Sequence, residues 1–282
     1  MGKDACLGAG FARALFKRTG KPVLYADCEN GETSIPGWVE KDLWQPGDGD
    51  IIDESYDILK CADSAAYSGL VISTISSLGD LILQSVTKKN YKSDPTKEVS
   101  RMNFRTRGGN TLMGPSQTDY LMAQSWFKEW FAAHATLLRA GKFVLWLSHQ
   151  KIIEIEHPNG TTEVMGGPLI IGSALTREAP KIMQELFRIE ARLMKAGEQP
   201  RRILQVENSG VWQAKDRYRA FPPTGVEIGV VREATDTADS FERKIVAKGE
   251  AVWDTMFKAM DRIRGGNGAP AISGTTVTTG GK

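Results

Sequence analysis

Short, uninterrupted apolar runs alternate with segments of helical periodicity through the first half of the chain. Pro22-Val23-Leu24-Tyr25-Ala26 carries no charge and is closed by the polar stretch Asp27 to Glu32. Such a run predicts a strand buried on both faces. Leu70-Val71-Ile72, continued by Ser73 to Leu78, repeats the pattern, as does Phe143-Val144-Leu145-Trp146-Leu147, closed by Ser148-His149-Gln150. Helices are predicted around these runs. One covers Ala5 to Lys17 and ends near Gly20, and one lies within Ile52 to Ala66. A third runs to about Val86, and a fourth, capped by Ser116 or Thr118, runs to about Leu138, just before Gly141. Strands alternating with helices predict a mostly parallel sheet. In such sheets ligands bind beyond the carboxyl ends of the strands. Asp27 and Glu29, Ser73 and Thr74, and His149 and Gln150 therefore occupy the informative positions.

Beyond Gln150 the pattern changes. Ile152 to Glu156 and Thr162 to Val164 flank Asn159-Gly160 and predict a β-hairpin. Ala179 to Lys195 reads as a helix, Arg202–Val206 with Gly210–Trp212 as a strand pair, and Thr237 to Arg264 as a final amphipathic helix. The Gly/Ser/Thr-rich end reads as a disordered tail. The expected organisation is a core over residues 1–230, a helical extension over 231–264 and a tail over 265–282.

Composition narrows the class. The chain has 282 residues, is 41% hydrophobic and carries a net charge of +2, so any basic surface must be local. Cys6, Cys28 and Cys61 are odd in number and far apart, which argues against a disulfide framework and for a reducing cytoplasm. No segment reaches the roughly 18 apolar residues of a membrane span. The N-terminus lacks the apolar core of a secretory signal. The three histidines and three cysteines show no zinc-ligand spacing.

Four stretches, taken in order, resemble the RecA-like P-loop ATPases, and in particular compact phage-encoded ATP-binding proteins of single-strand annealing and recombination. Gly2-Lys3-Asp4 before a helix resembles the end of a P-loop. Val23 to Glu29 resembles the strand that ends in the catalytic glutamate. Gly69 to Leu78 resembles the Walker B strand, and the long helix followed by Phe143 to Gln150 resembles the sensor strand. Gly167-Pro168-Leu169 and Ala214-Lys215-Asp216-Arg217 fit the phage group. The resemblance implies an α/β fold with a RecA-like core, mostly parallel sheet, added hairpins and a C-terminal helix. It implies ATP and Mg2+ as ligands, with phosphate held by Gly2, Lys3 and Asp4, a metal-side role for Ser73, water positioned by Glu29, and sensing of the γ-phosphate by His149 and Gln150. Lys215 and Arg217 would reach a neighbouring subunit's nucleotide in a head-to-tail homo-oligomer.

Two departures qualify this. The chain opens one residue before Gly-Lys, so the P-loop strand is missing and Asp4 replaces the hydroxyl residue; Ser73 replaces the Walker B aspartate. Two readings stand side by side: an internal start within a longer ATPase, or a retired ATPase kept as a scaffold. The chain as given is expected to turn over little ATP. Bland readings exist for single residues too: Thr74 as a helix cap, His134 as a packing residue, Lys215 and Arg217 in local charge pairs. Lys88, Lys89, Lys92, Lys97, Arg101, Arg105 and Arg107, interleaved with Tyr91 and Phe104, read as a loop binding single-stranded DNA, where cations track phosphates and aromatics stack on bases.

Overall fold

The structure, a computed structural model, describes residues 4–29, 35–47, 49–93, 103–105, 111–192 and 201–266. A short π-helical turn over Asp4–Gly8 leads into helix α1 (Ala9–Thr19). Gly20 ends α1 in the left-handed region at φ 68°, its N–H donating to the Phe16 carbonyl at 2.8 Å. Strands β1 (Val23–Asp27), β2 (Lys41–Trp44), β3 (Gly69–Ser73) and β6 (Phe143–Leu147) form one sheet in the order β2-β1-β3-β6, with every pairing parallel. Helices α2 (Ile51–Asp63), α3 (Ile75–Ser93) and α4 (Gln117–Arg139) make the crossovers. The central strands β1 and β3 are buried at every residue, as their uninterrupted apolar sequences require.

Side chains alternate across the sheet and split the core in two. Val23, Tyr25, Val71 and Leu147 face a cluster made by α1 and the last helix, α6 (Ala238–Gly266). Leu24, Ala26, Leu70 and Ile72 face α2, α3, α4 and α5 (Gly172–Ile182). The first layer is tight. A Cβ on Gly249 would overlap the Cys6 carbonyl, and one on Gly10 would strike the backbone of Gly249 and Glu250. Arg13 makes two bonds to Glu40 at 2.6 and 2.7 Å, and Trp253 donates to the Leu7 carbonyl at 2.9 Å.

The remaining strands are antiparallel. β4 (Asn103–Arg105) pairs with β5 (Thr111–Met113), and β7 (Gln150–Glu156) with β8 (Thr162–Pro168), the latter being the hairpin expected around Asn159-Gly160. β9 (Glu185–Leu186) pairs with β12 (Lys215–Asp216), while β10 (Arg188–Arg192), β11 (Arg201–Gln205) and β13 (Val226–Glu227) form a small sheet. No helix among the described residues is long and apolar enough to cross a membrane.

Several boundaries differ from the sequence reading. The helix expected over Ala179 to Lys195 stops at Ile182, and Arg188 to Arg192 is a strand in register with Arg201 to Gln205. Long-range pairing here overrides helix propensity. Gly210 to Trp212 contributes only isolated bridges, so β11 pairs with β10 and β13 instead. Helix α3 passes Val86 and ends at Ser93, which places Lys88, Lys89 and Lys92 on a helix, not in a loop.

His134 sits mid-helix, 4% exposed, against Trp130, Phe131 and Trp146. Its Nδ1 bonds the Trp130 carbonyl at 2.8 Å, and among the described residues Nε2 has no partner. Burial pushes its pKa down to about 4, against a small upward pull from the Trp130 carbonyl. The folded protein thus binds fewer protons than the unfolded chain between pH 6.5 and about 4, and stability falls as pH drops through that window. His134→Phe should remove on the order of 3 kcal/mol of acid sensitivity, visible as a flatter urea-midpoint profile between pH 7 and 4; an unchanged profile would contradict the assignment.

Candidate functional site

β1, β3 and β6 end level, because Asp27 lies opposite Ser73 and Ser73 opposite Leu147. The chain turns directly after each. The Cys28 N–H donates to the Ser73 carbonyl at 2.6 Å, and the buried Asp27 carboxylate accepts the Glu29 N–H at 3.2 Å. This turn lifts Glu29 over the edge of the sheet. Its Oε1 accepts hydrogen bonds from Thr74 Oγ1 at 2.5 Å, from Ser77 Oγ at 3.0 Å and from His149 Nε2 at 2.8 Å. Three strand ends therefore converge on one carboxylate oxygen.

The partners are themselves fixed. Thr74 precedes α3 and accepts the Ser77 N–H at 3.2 Å, so it caps the helix and holds Glu29 at once. The capped end also carries the positive end of the helix dipole, which favours an anion there. The His149 N–H donates to Ser76 Oγ at 3.0 Å, and its carbonyl accepts the Leu169 N–H at 2.7 Å. Ser76 Oγ donates to the Leu169 carbonyl at 2.7 Å, tying α3 to the end of the β7–β8 hairpin. Asp80, one turn further along α3, has its pKa raised by burial, with the nearby His149 acting in the opposite direction. The site is open on one side: the Glu29 side chain is 27% exposed and that of His149 52%.

The expected site residues fall into separate groups. Glu29 and His149 meet. Ser73, 3% exposed, lies at the end of β3 beside them. Gln150 points to a different set, its Nε2 donating to the Ile189 carbonyl at 3.0 Å and its Oε1 accepting from Arg188 Nε at 3.1 Å. Asp4 opens the π-helical turn; Gly2 and Lys3 lie outside the described residues. Lys215 donates to the Pro180 carbonyl at 3.1 Å, and the Arg217 N–H meets both Glu185 oxygens at 3.1 Å. Strand β12 ends at Asp216, so Arg217 lies past it, with an exposed side chain.

Of the basic stretch, Lys89 is bound to Asp50, which also caps α2 through the Ile52 N–H at 3.1 Å and accepts from Ser85 at 3.0 Å. Burial alone would raise the Asp50 pKa, but Lys89 and these other donors bring it below the usual carboxylate range. Lys89 is thus a structural cation, whereas Lys88 is exposed. Lys92 lies on α3 and Arg105 at the end of β4, while Lys97, Arg101 and Arg107 lie outside the described residues.

Sequence reasoning missed Ser77 and Asp80, and favoured the cap reading for Thr74 although it placed that residue at an informative strand end. A helical i, i+3 spacing from Thr74 to Ser77 was the available signal. No three His, Cys, Asp or Glu side chains among the described residues come together to hold a metal.

A scan against protein-family models finds no match, and a comparison with curated proteins finds none either. Fold and site together define an α/β protein with a four-stranded parallel sheet flanked by helices and a polar cluster at the sheet's carboxyl edge.

The β9–β12 pair carries its own titration. Burial, helped by Asp216, raises the Glu185 pKa to about 7 against the Arg217 N–H and the charges of Lys215 and Arg217. Folded Glu185 therefore holds a proton that the unfolded chain releases, and stability is lost as pH rises from 4.5 through 7. Glu185→Gln should match wild type at pH 4 and melt at a higher temperature at pH 8. Equal melting temperatures at pH 8 would show that the proton is not held.

Proposed function

We propose that this chain is a RecA-like ATP-binding protein that handles single-stranded DNA in recombination or replication, with the Glu29 cluster as its phosphoryl-transfer site. The observation that carries this reading is the convergence of Thr74, Ser77 and His149 on Glu29 at the carboxyl edge of a parallel sheet. A carboxylate fixed there can orient a water molecule and take its proton as the water attacks the γ-phosphate. His149, bonded to the same oxygen, is placed to register whether that phosphate is present. Gln150, next along the chain, connects the site to the β10–β11 sheet. In this reading Gly2, Lys3 and Asp4 hold the phosphates.

The oxygen donors at the edge suit a hard cation that keeps most of its shell from water and phosphate. Glu29, with Ser73 on the metal side, would hold Mg2+, which supplies neutralisation of phosphate charge when bound, while Thr74 stays committed to Glu29 and the helix cap. Lys215 and Arg217 would face a neighbour's phosphates in a head-to-tail oligomer, and Lys88, Lys92, Arg101, Arg105 and Arg107 would hold DNA.

A second reading, a module that binds without turnover, is favoured by two observations. The residue at the end of β3 is a hydroxyl, not a carboxylate, and Glu29 already has three donors from its own chain.

Mg-ATP turnover separates the two readings. It should be measured with single-stranded DNA, on the chain and on a version extended with a complete G-x-x-x-x-G-K loop. In whichever form turns over, Glu29→Gln should lower kcat by about a hundredfold or more with little change in KM. Unchanged kcat would reject Glu29 as the water-positioning group, and absence of turnover in both forms would favour the scaffold.

Single-strand binding is tested by gel shift. Replacing Arg101, Arg105 and Arg107 by Ala should weaken binding equally for unrelated sequences. It should also flatten the salt dependence by about 0.7 in slope for each phosphate these arginines neutralise. Wild-type affinity and slope in the triple variant would place the DNA surface elsewhere.

A further inference from the structure

Arg188 is held on three sides. Its Nε donates to Gln150 Oε1 at 3.1 Å, its Nη1 donates to the buried Gln205 at 2.8 Å, and its guanidinium lies over the Trp212 ring at 4.1 Å. The ring is fixed in turn. It lies so close to Gly166 that a Cβ there would overlap it, and the Gly166 N–H donates to the Val211 carbonyl at 2.6 Å. All three supports are neutral. Glu190 is the acid that acts on Arg188 through space, but its carboxylate pairs with Arg192 at 3.3 Å. Some other arginines of the fold have a carboxylate in contact, as Arg13 has Glu40, Arg18 has Asp261 and Arg243 has Asp239.

We propose that Arg188 is a phosphate-binding residue, positioned by Gln150, Gln205 and Trp212 on the flank of the Glu29 site. A half-buried guanidinium in a fixed plane, set among neutral groups, has no carboxylate in contact among the described residues and has little rotamer freedom left to lose on binding an anion. Its two bonds use the Nε hydrogen and one of Nη1. Three of the five N–H donors of a guanidinium remain, enough for a two-pronged contact with phosphate oxygens. Burial works against its charge, which an arriving anion would relieve. Gln150 follows His149 directly, so the two groups are one residue apart along the chain although their side chains have different partners.

The phosphate can belong to a nucleotide or to a nucleic-acid backbone. The inference rests on the reading of the Glu29 cluster as a phosphate-handling site, but its test does not need turnover. The full chain is titrated with Mg-ATP, with pyrophosphate and with an oligo-dT strand, following tryptophan emission. At least one probe should change the emission of wild type, and Trp212→Phe should remove that change. Arg188→Met should weaken the same binding by about tenfold or more.

Gln150→Glu is the second variant, since it sets a carboxylate 3.1 Å from Arg188 Nε with almost no change of shape. It gives up the bond to the Ile189 carbonyl, but it should weaken phosphate binding as strongly, and it carries the test if Arg188→Met does not fold. Loss confined to Mg-ATP and pyrophosphate assigns a nucleotide phosphate; loss confined to oligo-dT, with a shallower salt slope, assigns the backbone. Equal affinity of wild type and both variants for every probe, or no binding of any probe to wild type, overturns the proposal. Failure of ATP turnover with phosphate binding intact and Arg188-dependent would reject the catalytic reading and leave this one standing.

Discussion

Asp27, Ser73 and Leu147 stand side by side at the ends of three parallel strands, and the register that aligns them governs everything built above the sheet. Glu29 is two residues past its strand, Thr74 one and His149 two. With a rise of about 3.3 Å per residue, a slip of one position would carry Glu29 beyond hydrogen-bond reach of Thr74. It would also turn every side chain of the strand to the opposite face. Burial forbids that slip. Tyr25 belongs with α1 and α6, and Leu24 and Ala26 with α2 and α3, so the two-sided core selects one register, and the register assembles the polar edge.

Helix α3 joins that edge to the core. Its first turn presents Thr74, Ser76 and Ser77 to Glu29 and His149, while Ile75, Leu78 and Ile82 on its other face are fully buried. The hydroxyls are thus carried by a helix whose position is set by apolar packing. Thr74 both caps the helix and donates to Glu29, so the functional and structural readings of that residue are two bonds of one hydroxyl. The same holds for Asp27, buried and structural in its bond to the Glu29 N–H, yet the reason the glutamate stands where it does.

How much of this was legible in the sequence depends on the range of the interaction. β1 and β3 were visible because strands buried on both faces are written as continuous apolar runs, and β6 because it carries such a run although it lies at an edge and only Leu147 is fully buried. β2, Lys41-Asp42-Leu43-Trp44, was not, since an edge strand needs no such run. Arg188-Ile189-Glu190-Ala191-Arg192 has a helix-forming composition, and only its partner β11, across residues 193–200, makes it a strand. Glu29 and His149 were legible from their places after strands. Ser77, Asp80 and Arg188 were not, because their roles arise from side chains that meet across the fold.

The two open-edged groups differ in how charge is balanced, and that difference separates what each can bind. At Glu29 the negative charge is met by three donors and by the start of a helix. At Arg188 the positive charge is met by two amides and a ring, none of which can supply a counter-charge. Gln150 lies between, bonded to Arg188 and joined by one peptide to His149. The His149 backbone is pinned to Ser76 and Leu169, so the carboxylate cluster and the arginine group are held at fixed places on either side of one peptide bond.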